Sequence, residues 1–138
     1  MVWRYPAVLQ FMETTKQAAR ENGYVSTHFG RRLYLSDINN RNQGKRQGAE
    51  RAAINAPMQG TSADLIKLAM IAVRRALIER DLKSKLIMQV HDELVFEVPD
   101  DEVDLMTSLI PECMAGVADL AVPLVAEVGV GVNWELAH

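Results

Sequence analysis

The chain has 138 residues, 49% of them apolar and 24% charged, which suits a globular protein able to bury a core of ordinary size. No apolar run reaches the roughly 18 residues of a membrane helix, and Met1-Val-Trp-Arg-Tyr-Pro6 lacks the basic-then-apolar order of a signal peptide. The single cysteine, Cys113, excludes an internal disulfide framework and fits a reducing cytosol, and the net charge of −3 argues against wholesale nucleic-acid binding.

Charge is segregated, however. Arg31, Arg32, Arg41, Lys45, Arg46 and Arg51 fall in one stretch opposed by Asp37 and Glu50, whereas Glu97, Asp100, Asp101, Glu102 and Asp104 form an acidic one. Such a pattern gives one segment a positive field while the total stays negative, a local pointer to a polyanionic partner.

Pro6 to Asn22 reads as a helix, with proline at its first position, Gly23 as the stop, and Val8, Leu9, Met12 and Ala19 along one side. The aromatic opening Val2-Trp3-Arg4-Tyr5 has no cap before it, as if the pattern began further upstream. Tyr24-Val-Ser-Thr27 and Arg32-Leu-Tyr-Leu35 read as short strands joined through His28-Phe29-Gly30-Arg31, with Gly30 free to take positive φ and His28 an exposed loop imidazole. Ser36 to Gly48 reads as a loop punctuated by Asn39, Asn40, Asn42, Gly44 and Gly48. Its Arg41, Lys45 and Arg46 are either merely solvated or form a strap that follows phosphates.

Ala49 to Arg80 carries helix chemistry in two halves. Pro57 removes a ladder bond, Gly60 loosens the turn, and Thr61 or Ser62 is placed to cap the second half, Asp64 to Glu79. Leu65, Leu68, Ala69, Ala72, Ala76 and Leu77 make a core-facing stripe there, widened by Ile66, Met70, Ile71 and Val73. Arg51, Asn55 and Gln59 recur at i, i+4 and i+8 on one face. Such a stripe is either a water-facing side or a set of groups that both donate and accept, as base edges require.

Lys85-Leu-Ile-Met-Gln-Val-His-Asp-Glu-Leu-Val-Phe-Glu-Val98 is the central hairpin. His91-Asp92-Glu93 at its tip offers no glycine or asparagine, and Asp92-Glu93 is a poor turn on conformational grounds. Adjacent carboxylates repel unless a cation sits between them, and Mg²⁺, which takes oxygen ligands, is the natural candidate; a solvated acidic turn is the alternative. Pro99-Asp-Asp-Glu102 opens a helix running through Val103, Met106, Leu109, Ile110, Cys113, Met114 and Val117. Pro111 predicts a kink or break near Leu109, and Cys113 reads as a buried, inert thiol. Pro123 stops Leu120-Ala-Val, Leu124 to Gly131 reads as a third strand, and Asn133-Trp134 begins a tail ending at His138. The expected fold class is α+β, a small antiparallel sheet of at least three strands with helices on one face.

Glu50-Arg-Ala-Ala-Ile-Asn-Ala-Pro-Met-Gln-Gly-Thr-Ser-Ala-Asp64, followed by Met88-Gln-Val-His-Asp-Glu-Leu-Val-Phe-Glu97, resembles the C-terminal end of the bacterial family A DNA polymerases. Gly30-Arg-Arg-Leu-Tyr-Leu35, Glu127-Val-Gly129 and Asn133-Trp134 extend the likeness along nearly the whole chain. The resemblance implies that 1–138 is a single partial domain, the last part of a polymerase palm with adjoining fingers sequence. It implies that Asp92 is the motif C carboxylate that binds the two Mg²⁺ ions of nucleotidyl transfer, with Glu93 supporting it. It further implies that His91 lies near the primer 3′ end, and that Arg51, Asn55 and Gln59 line the duplex minor groove. Primer–template DNA and deoxynucleoside triphosphates are the implied partners, in the bacterial cytoplasm at the nucleoid, with no membrane.

The family also needs a second metal aspartate in an Asp-Tyr-Ser-type motif, and a fingers helix whose Lys and Tyr grip the nucleotide. Neither is in this sequence. The expectation is therefore a polymerase piece that is inactive alone and dimerises or exchanges strands through an uncovered sheet edge or apolar surface. A non-catalytic DNA-binding module that has kept the palm fold is the alternative, and an unrelated acidic-turn protein a remoter one.

Overall fold

The computed structural model describes residues 5–137, so Val2, Trp3 and Arg4 of the aromatic opening and the terminal His138 lie outside the described residues. The chain forms two compact units, Met1–Asp64 and Leu65–His138. The class is α+β, with helices and antiparallel hairpins together.

In the first unit, α1 (Pro6–Asn22) starts on its proline and ends where Gly23, at φ 77°, donates its N–H to Ala19 O at 2.8 Å. Strands β1 (Tyr24–Ser26) and β2 (Arg32–Tyr34) pair antiparallel with Tyr24 opposite Tyr34. Gly30 takes the positive φ of 85° that the turn needs. Arg32 lies over the Tyr24 ring, 4.4 Å from its centroid. Ala19, Val25, Leu35, Ile38 and Ala53 form the core of this unit. Of the expected α1 stripe only Ala19 is buried. Val8 and Leu9 stay about half exposed, because the helix packs by its C-terminal end.

The expected loop at 36–48 is shorter than the sequence suggests, since α2 (Gln43–Glu79) begins at Gln43. Asn42 is the reason: its side-chain oxygen accepts the Lys45 N–H at 3.2 Å, the N-cap bond that turns the following residues helical. Residues 36–42 are also no slack strap. Asn40 donates to Asp37 Oδ1 at 2.8 Å and accepts the Asn42 N–H at 2.9 Å, and Asn39 donates to Arg20 O at 3.0 Å. The expected division of α2 at Pro57 and Gly60 is likewise absent. Thr61 does not cap a new helix; its hydroxyl donates back to Pro57 O at 2.5 Å within a continuous one.

In the second unit the later turns of α2 bury Ala69, Val73 and Leu77, at i, i+4 and i+8. Val73, expected at the margin of the stripe, is its centre, while Ile71 and Ile78 remain more than half exposed. The helix stops at Asp81, held at φ 51°, where Leu82 N–H donates to Leu77 O at 3.0 Å. Strands β3 (Lys85–Val90) and β4 (Glu93–Glu97) make the central hairpin. Then α3 (Val103–Ala115) runs through Pro111 without the break that is one of the two outcomes expected there. Packing holds it: Met106 and Ile110 lie in one core with Val73 and Leu77, flanked by Phe96, Val98, Cys113 and Met114. Cys113 is half-buried, and burial pushes its thiol pKa up, as an inert thiol requires.

Ahead of α3 the half-buried Glu102 carboxylate ties down the entry to β3. It accepts the N–H groups of Lys83 and Ser84, each at 2.8 Å, and the buried Ser84 hydroxyl at 2.5 Å. Those bonds hold its carboxyl below the usual glutamate range, the Ser84 hydroxyl contributing most. Leu124–Gly131 forms no strand, so the described sheets are two separate two-stranded hairpins. The 136–137 backbone of the tail instead comes close to the glycines of this segment. A side-chain carbon at Gly129 would overlap the Ala137 carbonyl, and one at Gly131 would come within 2.6 Å of the Leu136 carbonyl carbon.

Candidate catalytic hairpin and nucleic-acid face

The hairpin tip is a two-residue turn, His91-Asp92, because Val90 pairs with Glu93 at the end of the ladder. The expected conflict at Asp92-Glu93 is resolved by moving the turn back one residue. His91 takes the positive φ, 53°, that a glycine would ordinarily supply, and Asp92 does not. The Gln89 amide donates to His91 O at 2.6 Å and braces the turn from the strand. Lower in the hairpin the register shifts between Leu86 and Met88, so Ile87 is an extra residue on β3. Bulges of this kind twist a hairpin and re-aim its tip. His91, Asp92 and Glu93 are all exposed. An aspartate at the solvent-facing tip of a hairpin is available to a ligand, whereas one sunk in the apolar core would not be.

Two neighbouring carboxylates are the right donors for a hard cation such as Mg²⁺. Among the described residues, however, no group of three or more His, Cys, Asp or Glu side chains could hold a metal ion. The hairpin therefore fits one part of a cation site and does not complete it.

In the first unit Arg51, Asn55 and Gln59 are all exposed on α2 and span about 12 Å at 1.5 Å per residue. Their neighbours face the other way: Ala53 is fully buried, with Ala49, Ala52 and Ala56 packed against the core. The i, i+4, i+8 spacing thus yields one continuous polar ridge. Of the basic residues, Arg41 and Lys45 are exposed, while Arg46 is half-buried with Nη1 donating to Asn40 O at 3.3 Å. Arg31 is engaged by Asp64, with Nε 2.8 Å from Oδ1. Glu50 pairs with Arg20 at 2.8 Å, and that guanidinium holds its carboxyl below the ordinary range.

Sequence reasoning missed the network around Asp64. Thr27, Arg31, Gly60, Thr61 and Asp64 are brought together there by the 27–31 turn. The one signal for it was Gly60 itself, a glycine in mid-helix with no turn to make.

The sequence profile of DNA polymerase family A matches residues 2–136. DNA polymerase I of Pseudomonas aeruginosa is 55% identical over 98% of this chain and 15% of its own length. That of Caldicellulosiruptor bescii is 47% identical over 95% of the chain and 15% of its own length. Among solved structures, the POL domain of Pol1 from M. smegmatis in complex with DNA primer-template and dNTP superimposes with a TM-score of 0.95 at 43% identity. The match covers 99% of this chain and 24% of that one. The chain thus spans about 15% of the length of the curated relatives it matches. Matched almost from end to end by one profile and by relatives of one name, this chain belongs to DNA polymerase family A.

Proposed function

We propose that this chain supplies, within a template-directed DNA polymerase, one carboxylate of the metal site and a set of duplex contacts. The observation that carries the reading is the family match over residues 2–136, which includes an exposed Asp92 on a braced hairpin tip. Asp92, with Glu93 beside it, would ligate Mg²⁺; when bound, such ions activate the attacking 3′-hydroxyl and stabilise the leaving pyrophosphate. What the chain's own residues do is simpler. The Gln89 brace and the left-handed His91 hold Asp92 in a fixed place, and His91 meets the primer end. Arg51, Asn55 and Gln59 meet the minor groove, where every base pair presents acceptors at purine N3 and pyrimidine O2. Donors there sense pair geometry without reading sequence, which copying requires. Arg41, Lys45 and Arg46 add phosphate contacts. The partners are primer–template DNA and deoxynucleoside triphosphates, and the setting is the bacterial cytoplasm at the nucleoid.

Primer extension tests the reading. This sequence, put in place of the matching segment of the Pseudomonas aeruginosa polymerase, should give a chimera that extends a primer on a template. The 138-residue chain alone should not. Extension by the isolated chain, or a folded chimera that binds duplex and extends nothing, would contradict it; the second outcome is what a non-catalytic DNA-binding module predicts.

A further inference from the structure

Helix α2 holds together where its sequence should break it. Pro57 has no N–H to offer the Ala53 carbonyl, and Gly60 follows three residues later. Yet the helix is continuous from Gln43 to Glu79.

The 27–31 turn accounts for this. Arg31 Nη2 donates to Gly60 O at 3.1 Å and Nε donates to Asp64 Oδ1 at 2.8 Å. The Thr27 hydroxyl donates to Asp64 Oδ2 at 2.7 Å and accepts the Arg31 N–H at 3.2 Å. The His28 N–H donates to Thr61 Oγ1 at 2.9 Å, and that hydroxyl donates on to Pro57 O at 2.5 Å. The turn bonds the helix after Gln59, at Gly60, Thr61 and Asp64, while Val25 of the adjoining β1 shares a core with Ala53 before it, so the β1–β2 hairpin holds the helix on both sides of Gln59. The Asp64 side chain is only 12% exposed whereas that of Arg31 is 53% exposed, so the carboxylate end of these charge-assisted bonds is sheltered while the guanidinium borders solvent. Seating this close depends on Gly60, where an added carbon would come within 2.6 Å of Thr27 Cγ2.

The location is what gives the clamp a role. Asn55 precedes Pro57 and Gln59 follows it, so a hinge at this point would swing Gln59 out of line with Arg51 and Asn55. We propose that Thr27, Arg31 and Asp64 are positioning residues that splint α2 between Asn55 and Gln59, keeping the three polar side chains in one register for the duplex minor groove. The inference rests on the minor-groove reading of that ridge given above.

The test uses the chimera and primer–templates carrying 3-deazapurines, which lack the N3 acceptor, at successive steps behind the primer end. The parent chimera should be slowed about tenfold at the step that Gln59 reads. Thr27→Val and Asp64→Asn should reduce that penalty to less than about twofold, as Gln59→Ala does, while Arg31→Lys, which keeps the charge but not the fork, should fall between. Hydrogen exchange at amides 58–61 should speed by about tenfold or more in the variants, with the Val25 amide unchanged. A general loss of stability would slow extension on every template alike and leave the 3-deaza penalty in place. Clamp variants that keep the full penalty overturn the proposal; if Asp64→Asn does not fold, Thr27→Val, which removes the two bonds of the Thr27 hydroxyl and no charge, decides. A parent chimera with no penalty at any step sinks the minor-groove reading and the register role with it, and the exchange rates alone then judge the splint.

Discussion

His91 shows how much a single residue gives up for its place beside Asp92. At φ 53° it sits in the left-handed region, which costs an L-residue about 1–2 kcal/mol that glycine does not incur. His91→Gly should therefore raise the unfolding free energy of the chain by up to about 1 kcal/mol and lower primer extension by the chimera. Calorimetry showing a less stable variant would mean that the turn holds no such strain. Glu102 makes the complementary case, a carboxylate that serves stability. Its folded pKa lies below the ordinary value of about 4.3, so its contribution is fully present above that value. The contribution is lost as pH falls through the lowered folded value. Glu102→Gln should flatten the acid limb of a thermal-stability profile below about pH 5. An unchanged limb would mean that the bonds to Lys83 and Ser84 do not carry it.

At the scale of elements, the hairpins and the start of α1 were legible in the sequence because local chemistry decides them. Pro6, Gly23 and Gly30 do what their conformational limits dictate. In three places packing outvoted local preference. Pro57 and Gly60 should have split α2, but the 27–31 turn bonds Gly60, Thr61 and Asp64 just beyond; Pro111 invited a kink or a break, and no break occurs where Met106 and Ile110 pack in the core. Leu124–Gly131 has the composition of a strand, yet its glycines receive the backbone of the tail instead. Gly60 offers a test of such tertiary override. Gly60→Ala should gain about 1 kcal/mol in helix propensity and lose more than that to the Thr27 methyl, for a net loss of about 1–2 kcal/mol. Adding Thr27→Ser, which removes the methyl and keeps the hydroxyl, should restore most of it. Chemical denaturation of the single and double variants checks this, and a stabilised Gly60→Ala would contradict the close seating. Asn42→Ala should cost about 1 kcal/mol by the same measurement, through loss of the cap bond to Lys45.

At the scale of the whole molecule, the polar ridge and the acidic hairpin are both readable as chemistry in the sequence alone. The spacing of Arg51, Asn55 and Gln59 and the pairing of Asp92 with Glu93 need no tertiary information. The Asp64 clamp left only Gly60 as a signal, because Thr27 and Arg31 are far from Asp64 in sequence and each has an ordinary local role. Each described sheet has only two strands, so β3 and β4 keep an outer edge unpaired within it, and Ile87 on β3 is more than half exposed. The isolated chain should therefore self-associate in sedimentation as concentration rises. A clean monomer at high concentration would count against that edge as a contact.

The central claim is that Asp92, with Glu93 beside it, is one part of the reaction's metal site and that a further ligand comes from outside this chain. Asp92→Ala in the chimera tests it most directly, with single-turnover extension and duplex affinity measured on the same preparation. Extension should fall by about 10³-fold or more while duplex affinity changes less than about twofold. Extension at the parent rate, or equal losses of extension and binding, would contradict it.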